Sequence, residues 1–354
     1  MSGPSLPPEW APQDGILLTW PHAHSDWAAA LSDVEPVFVR LAQEITRREA
    51  LVVVAYDPDH VSGIRSQLIA ADIELSSVVF CVARSNDTWA RDHGPITVYH
   101  DNKPCLLDFT FNGWGNKYPA DLDNEISHHL TACEPFRDVR YETIDLVLEA
   151  GSIDTDGAGT LLTTVSCLLS PHRNPQLDRP ALEAKLRQCL GVDRLLWLAD
   201  GFLEGDDTDG HVDMLARFTD AATLVHAACD DPDDVHFEAL SAMANALAAF
   251  RDAGGNPYRL VALPLPKPKF SAAGKRLPAS YVNFLIINQA VLVPTYDDPA
   301  DDEAADRLQA CFPDREIVSI PSTPLIQQYG SLHCITMQLP EGVLTLQGSR
   351  QETG

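Results

Sequence analysis

Met214–Ala227 reads MLARFTDAATLVHA: two short apolar runs, Met214–Phe218 and Thr223–Ala227, meet across Asp220. β-Branched and aromatic residues in short runs around a polar turn residue are a hairpin signal. A helical period follows over Asp233–Arg251, and a further strand-like run closes the stretch at Tyr258–Leu263. The stretch predicts a unit made of a hairpin plus a helix. Upstream the same order recurs: Asp156-Gly157 precedes Thr160–Leu168, then comes the helical period Arg179–Leu190, then Leu195–Leu198. Further strands are expected at Leu51–Ala55, Val78–Ala83, Ile96–Tyr99, Cys105–Phe111, Tyr281–Ile287, Ala290–Pro294, Glu316–Ser319 and Cys334–Gln338, and helices at Asp26–Arg47, His60–Ala70, Leu122–Ala132 and Asp302–Cys311. Strands outnumber helices about two to one, whereas a doubly wound sheet follows each strand with one helix. The ratio points to a mixed α/β architecture of hairpin-plus-helix units, each of roughly 60–70 residues, without a clear sequence repeat at that period.

The chain of 354 residues is 45% hydrophobic, enough for a large core, which excludes disorder as its main state. No linker-like or low-complexity stretch divides it, so residues 1–354 are expected to form a single domain. Its net charge is −26, without a Lys/Arg cluster, so nucleic-acid binding is not expected. The acidic surplus fits attraction of small cations, and equally solubility or salt adaptation. No run approaches a membrane span, and the opening MSGPSLPPEW lacks the regions of an export signal, so a cytoplasmic location without membrane partners is expected. Eight scattered cysteines resemble neither a disulfide framework nor a metal knuckle; most read as small core residues.

Phosphate-binding loops, dinucleotide fingerprints, the Gly-x-Ser-x-Gly elbow and His-Glu-x-x-His are missing. What remains are polar stretches at strand ends, where glycine lets the backbone turn sharply beside charged or aromatic residues: 86–95, 111–115, 148–152, 207–213 and 330–334. Taken singly, each reads as an ordinary turn or a buried ion pair; the case lies in their combination. On a strand, His211 and Asp213 at positions i and i+2 would face one ligand together. Cys334, at the mouth of the last expected strand, is placed for exposure and a lowered thiol pKa, given a cationic neighbour such as His211 or a cationic substrate. The adjacent His333 would point the other way and reads as structural.

Trp-Ala-Arg-Asp-His-Gly-Pro (89–95), Phe-Asn-Gly-Trp-Gly (111–115), Glu-Ala-Gly-Ser-Ile-Asp-Thr-Asp-Gly (149–157), Leu-Leu-Thr-Thr (161–164), Arg-Asn-Pro (173–175), Gly-His-Val-Asp (210–213), Ser-Tyr-Val-Asn-Phe (280–284) and His-Cys-Ile-Thr (333–336) together resemble the agmatine deiminase family, which also contains bacterial-type peptidylarginine deiminases. The resemblance runs from Trp20-Pro21 to Gln338. It implies a pentein fold, a five-bladed α/β propeller of pseudo-fivefold ββαβ units. It also implies hydrolysis of a guanidino group to a ureido group, with release of ammonia and no metal or organic cofactor.

By the same resemblance Cys334 would be the nucleophile, His211 the general acid/base and Glu149 its support, while Asp92 and Asp213 would hold the guanidinium. Trp89 would wall the channel, and Asp207 could meet a distal ammonium. A planar, protonated guanidinium suits paired carboxylates that accept its forked N–H donors. A reaction needing thiolate and imidazolium together predicts a bell-shaped pH profile. The chain departs from the family in carrying one glycine in Gln-Gln-Tyr-Gly-Ser-Leu-His-Cys where three are usual, Ala150 where a second glycine is usual, and four cations in Pro264–Ser280. The expected partner is a small cationic substrate, most simply agmatine; peptidyl-arginine or another guanidino compound is the alternative. A binding protein without turnover is the reading of a different class, and a cysteine protease leaves the paired acids unexplained. Oligomeric state, a homo-oligomer included, stays open.

Overall fold

The computed structural model describes residues 3–345. Its strands lie in separate small sheets, four of which share one connectivity. Ile96–His100 pairs antiparallel with Lys103–Thr110, which lies parallel to Arg140–Val147. Ile153–Thr155, Thr160–Thr164 and Arg194–Leu198 repeat that order, as do Ala216–Asp220, Thr223–Ala228 and Arg259–Pro264, and then Leu285–Ile287, Ala290–Thr295 and Glu316–Pro321. In the remaining large sheet Gln13–Thr19 runs parallel to Ala50–Ala55, and its antiparallel partner Thr336–Pro340 comes from the far end of the chain, with Leu17 opposite Met337. Val78–Val82 adds a fourth strand to that sheet.

Parallel neighbours need a crossover, and a helix supplies it in each unit. Arg179–Leu190 shows how sequence sets the limits: Asp178 caps it by accepting the Ala181 N–H, Pro180 stands in its first turn, and Gly191 ends it at a left-handed φ of 67°. Leu182, Leu186 and Leu190 form its buried stripe. Ala50–Ala55 is buried along its whole length, which accounts for the unbroken apolar run ALVVVA.

Several expectations need correction. Thr160–Leu168 ends as a strand at Thr164, whose side chain caps the short helix Val165–Leu168 by accepting the Cys167 N–H. Only Leu285–Ile287 of the expected strand Tyr281–Ile287 pairs, and Leu122–Ala132 reduces to a 3₁₀ turn at Asp123–Glu125 followed by the single helical turn Ile126–Leu130. Arg140–Val147 and Gln13–Thr19 carry no strand in the sequence reading; the first, RYETIDLV, is polar because it is a sheet edge in which only Leu146 is buried. Cys81 and Cys133 form a disulfide, with their Cα atoms 6.0 Å apart, so these two are not isolated core thiols. Among the described residues, no helix is long and apolar enough to cross a membrane.

Candidate functional site

Five chain segments build the site, and each stands just ahead of the antiparallel edge strand of a sheet. The turn Ala90–His93 carries Asp92 ahead of Ile96; Glu149 leads the turn Ala150–Ser152 ahead of Ile153. His211 and the turn Val212–Met214, which contains Asp213, precede Ala216. Asn283 precedes Leu285, and Cys334 precedes Thr336. Short turns at these points let side chains leave the sheets and converge.

The segments of Asp92, of His211 and Asp213, and of Cys334 line a cavity of about 260 Å³. Cys334, His211, Asp92, Asp213, Trp89 and Asp207 all line it, so six of the seven side chains singled out from sequence share one space. Glu149 lies outside that lining. It is buried behind His211, where Arg173 donates to both its carboxylate oxygens at 2.9 and 3.1 Å. The same guanidinium reaches Asp209 Oδ2 at 2.6 Å and the Thr208 carbonyl at 2.8 Å.

Cys334 Sγ lies 3.7 Å from Asp213 Oδ2 and 3.3 Å from Asn283 Nδ2. Asp213 Oδ2 also faces His333 Nδ1 at 2.8 Å, and His333 Nε2 faces Glu9 Oε1 at 2.9 Å. The other carboxylate oxygen, Asp213 Oδ1, is buried and without a hydrogen-bond partner among the described residues. Across the cavity Asp92 Oδ1 lies 3.6 Å from His211 Nδ1 and accepts the Gly151 N–H, while the Trp114 indole donates to Asp92 Oδ2 at 2.9 Å. Trp114 itself is held at a left-handed φ of 55°.

Burial sets the electrostatics. It raises the Asp92 carboxyl to about 6, with Asp213 and Glu149 adding repulsion. Burial also opposes ionisation of Asp213, but the His333 hydrogen bond together with the charges of His333, His211 and Arg217 outweighs it and holds Asp213 below the usual carboxylate range. Against the pull of burial, Asp92 first and then Cys167 and Glu149 lift His211 well above the ordinary imidazole value. Burial, and then Asp213 and Asp92, push the Cys334 thiol well above its ordinary value. Burial with Arg217 and Arg91 pulls His333 down, against Glu9 and Asp213.

Two readings change here. His211 and Asp213 share the cavity through a 3₁₀ turn, rather than through strand alternation. Cys334 is only 6% exposed, and its thiol is raised where a lowered one was expected, because burial and then the Asp213 and Asp92 carboxylates oppose its ionisation. Lys269 and Arg276 of the Pro264–Ser280 loop pair with Asp298 and Asp234, and none of that loop's cations lines the cavity.

Sequence reasoning gave no role to Asn283, Glu9, Arg173 or Trp114. All but Glu9 lie inside quoted motifs; Glu9 stands in the opening segment, where nothing in its neighbours marks it out. The glycines the chain retains have steric causes. A Cβ on Gly151 would stand 2.6 Å from His211 Nδ1, and one on Gly330 would stand 2.1 Å from the Trp89 ring. Glu149, Cys167 and His211 bring three potential ligand atoms within 4.8 Å of one another, but the Arg173 cation already neutralises Glu149 there.

Mixed α/β units around a carboxylate-lined cavity with a thiol in its wall belong to a hydrolase acting on the C–N bonds of amidines. The chain is a member of the Porphyromonas-type peptidyl-arginine deiminase family, whose sequence pattern matches residues 5–340. It is 36% identical to the agmatine deiminase of Pseudomonas putida (strain KT2440) over 361 residues, covering 96% of each chain. Among solved structures, a C. jejuni agmatine deiminase with substrate bound matches with a TM-score of 0.88 and 34% identity, over 96% of this chain and 97% of that one. A Porphyromonas gingivalis chain provisionally named an arginine deiminase matches with a TM-score of 0.90 and 47% identity, over 97% of this chain and 100% of that one.

Proposed function

We propose that the protein hydrolyses agmatine to N-carbamoylputrescine and ammonia, with Cys334 as nucleophile. The observation that carries this reading is the cavity wall: Asp26, Asp87, Asp92, Asp206, Asp207 and Asp213 line it, and no lysine or arginine does. Such a wall fits a dication and disfavours free arginine, whose carboxylate would meet only like charge.

In this reading the guanidinium lies between Asp92 and Asp213, whose free Oδ1 accepts one of its N–H groups. The bound cation offsets the repulsion that keeps Cys334 protonated, the thiol releases its proton to solvent, and the thiolate attacks the guanidinium carbon. Imidazolium His211, supported by Glu149, gives its proton to the departing nitrogen, and ammonia leaves a thiouronium on sulfur. His211 then takes a proton from water, whose oxygen displaces the thiolate and yields the ureido product. Trp89 walls the channel beside the planar end, and Asp207, whose Oδ2 accepts from Tyr118 Oη at 2.8 Å, meets the distal ammonium.

The repeated connectivity supports an arrangement of the sheets as five blades of a pentein propeller around this cavity. A cytoplasmic enzyme of polyamine metabolism fits the substrate. The family match favours peptidyl-arginine as the second substrate class.

Purified protein supplied in turn with agmatine, arginine and an arginyl peptide tests the reading through ammonia and ureido product. Turnover is expected with agmatine, and a Cys334→Ser variant should bind it without product. Tight binding by wild type with no product would establish a binding protein instead; turnover of the peptide alone would move the assignment to peptidyl-arginine.

A further inference from the structure

Four of the five segments ahead of an antiparallel edge strand contribute a side chain with a role in the proposed chemistry: Asp92, Glu149, the pair His211 and Asp213, and Cys334. The fifth contributes Asn283, which is wholly buried and in contact with the sulfur. Its amide orientation follows from its partners. The His333 N–H donates to Asn283 Oδ1 at 2.9 Å, so that end must be the carbonyl oxygen. Nδ2 then faces the Asp213 carboxylate oxygen at 3.2 Å and Cys334 Sγ at 3.3 Å. One amide group therefore directs its N–H donors at both the anion that binds the guanidinium and the sulfur that must become an anion.

We infer that Asn283 is a further catalytic residue, whose side-chain N–H stabilises the Cys334 thiolate and holds it in register with Asp213. The inference rests on Cys334 as the nucleophile and assigns what prepares it. Without Asn283 the sulfur would face Asp213 and Asp92 and have no side-chain donor to offset them. A neutral amide is suited to this place, because a permanent cation would compete with the substrate for the same carboxylates. A hydrogen bond to a charged group is worth more than one between neutral groups.

The test reads the sulfur without substrate. Cys334 alkylation by iodoacetamide, a neutral reagent, is followed by peptide mass spectrometry across a pH series, which separates it from the other free cysteines. Below the thiol pKa the rate follows the thiolate fraction, so each unit of upward shift slows alkylation about tenfold at fixed pH. Asn283→Ala should slow it about tenfold or more and lower kcat/KM for agmatine by about one to two orders of magnitude. Asn283→Asp keeps the shape and the acceptor for the His333 N–H, so it guards against failure of the alanine variant to fold; it should slow alkylation further. Ser280→Ala, which removes a neighbouring hydrogen bond to the Met214 carbonyl without touching the sulfur, should leave the alkylation profile within about twofold of wild type. Folded Asn283 variants that alkylate no more slowly than Ser280→Ala would overturn the inference while leaving the deiminase reading intact. Slowed alkylation in a protein that never turns over agmatine would instead uphold Asn283's hold on the sulfur and remove the proposed substrate.

Discussion

Asp213 Oδ2 stands 3.7 Å from the sulfur of Cys334, so the anion that attracts the substrate also opposes ionisation of the nucleophile. Binding and activation are thereby coupled: a guanidinium placed on Asp213 removes the repulsion at the moment thiolate is needed. Asp213→Asn should separate the two effects. With one carboxylate gone, the thiol pKa falls and Cys334 in the empty protein alkylates about tenfold faster at neutral pH, while KM for agmatine rises about tenfold or more. Slower alkylation in this variant would show that Asp213 does not govern the thiol.

The pH dependence of kcat/KM should have limbs set by groups across the cavity from Cys334. Asp92, raised to about 6, loses its charge below that pH and with it the grip on a cation, so the acid limb should fall near pH 6. His211 is lifted well above the usual imidazole value and must be protonated to discharge ammonia, so the alkaline limb should lie well above pH 6.5. The linkage has a definite sign. Because Asp92 titrates higher folded than unfolded, it takes stability from the empty protein as pH rises from about 3.8 towards 6, and a bound dication restores it. Ligand-induced gain in melting temperature should accordingly be larger at pH 8 than at pH 5. A profile level from pH 5 to pH 9 would contradict both assignments.

Much of this arrangement can be read from the chain, because four of the five segments of the site pair glycine with a charged or aromatic residue at a strand end, the Asn283 segment being the exception. The hairpin, helix and strand order is equally legible where turns are short, as across Asp220 and Asp156-Gly157. Hidden features have physical causes. Gln13–Thr19 finds its antiparallel partner more than three hundred residues later, at Thr336–Pro340, and no local pattern reports that pairing. Glu9 acts through Arg91, His333 and Gln338 from distant segments. The raised Cys334 thiol depends on how deeply the fold encloses it, whereas sequence reveals only that a turn is near.

Gly151 permits the close approach of the backbone to His211 and Asp92. An added Cβ would lie 2.6 Å from His211 Nδ1 and 2.8 Å from Asp92 Oδ1, below any ordinary contact. Gly151→Ala should therefore displace both groups and lower kcat by about two orders of magnitude. The overpacking itself costs about 1–3 kcal/mol of stability, small enough for the variant to stay folded. Steady-state kinetics beside a urea denaturation curve checks this; unchanged kcat would mean that neither side chain holds a fixed position in turnover.

Arg173 ties the support of the acid/base to the rim of the cavity. Its side chain and that of Glu149 are both fully buried, and the same guanidinium fixes Asp209 and Thr208, the latter in the cavity wall beside Asp207. Arg173→Ala would leave Glu149 as an uncompensated buried charge, at a cost of about 3–5 kcal/mol. Arg173→Lys keeps the charge but not the planar fork, so it should recover part of the stability while the 206–210 segment loses one of its anchors. In that variant KM for agmatine should rise and kcat should fall, since Glu149 behind His211 and the acidic rim shift together. Urea denaturation and steady-state kinetics measure the two effects. A lysine variant as active as wild type would show that charge neutralisation of Glu149 is all that Arg173 contributes.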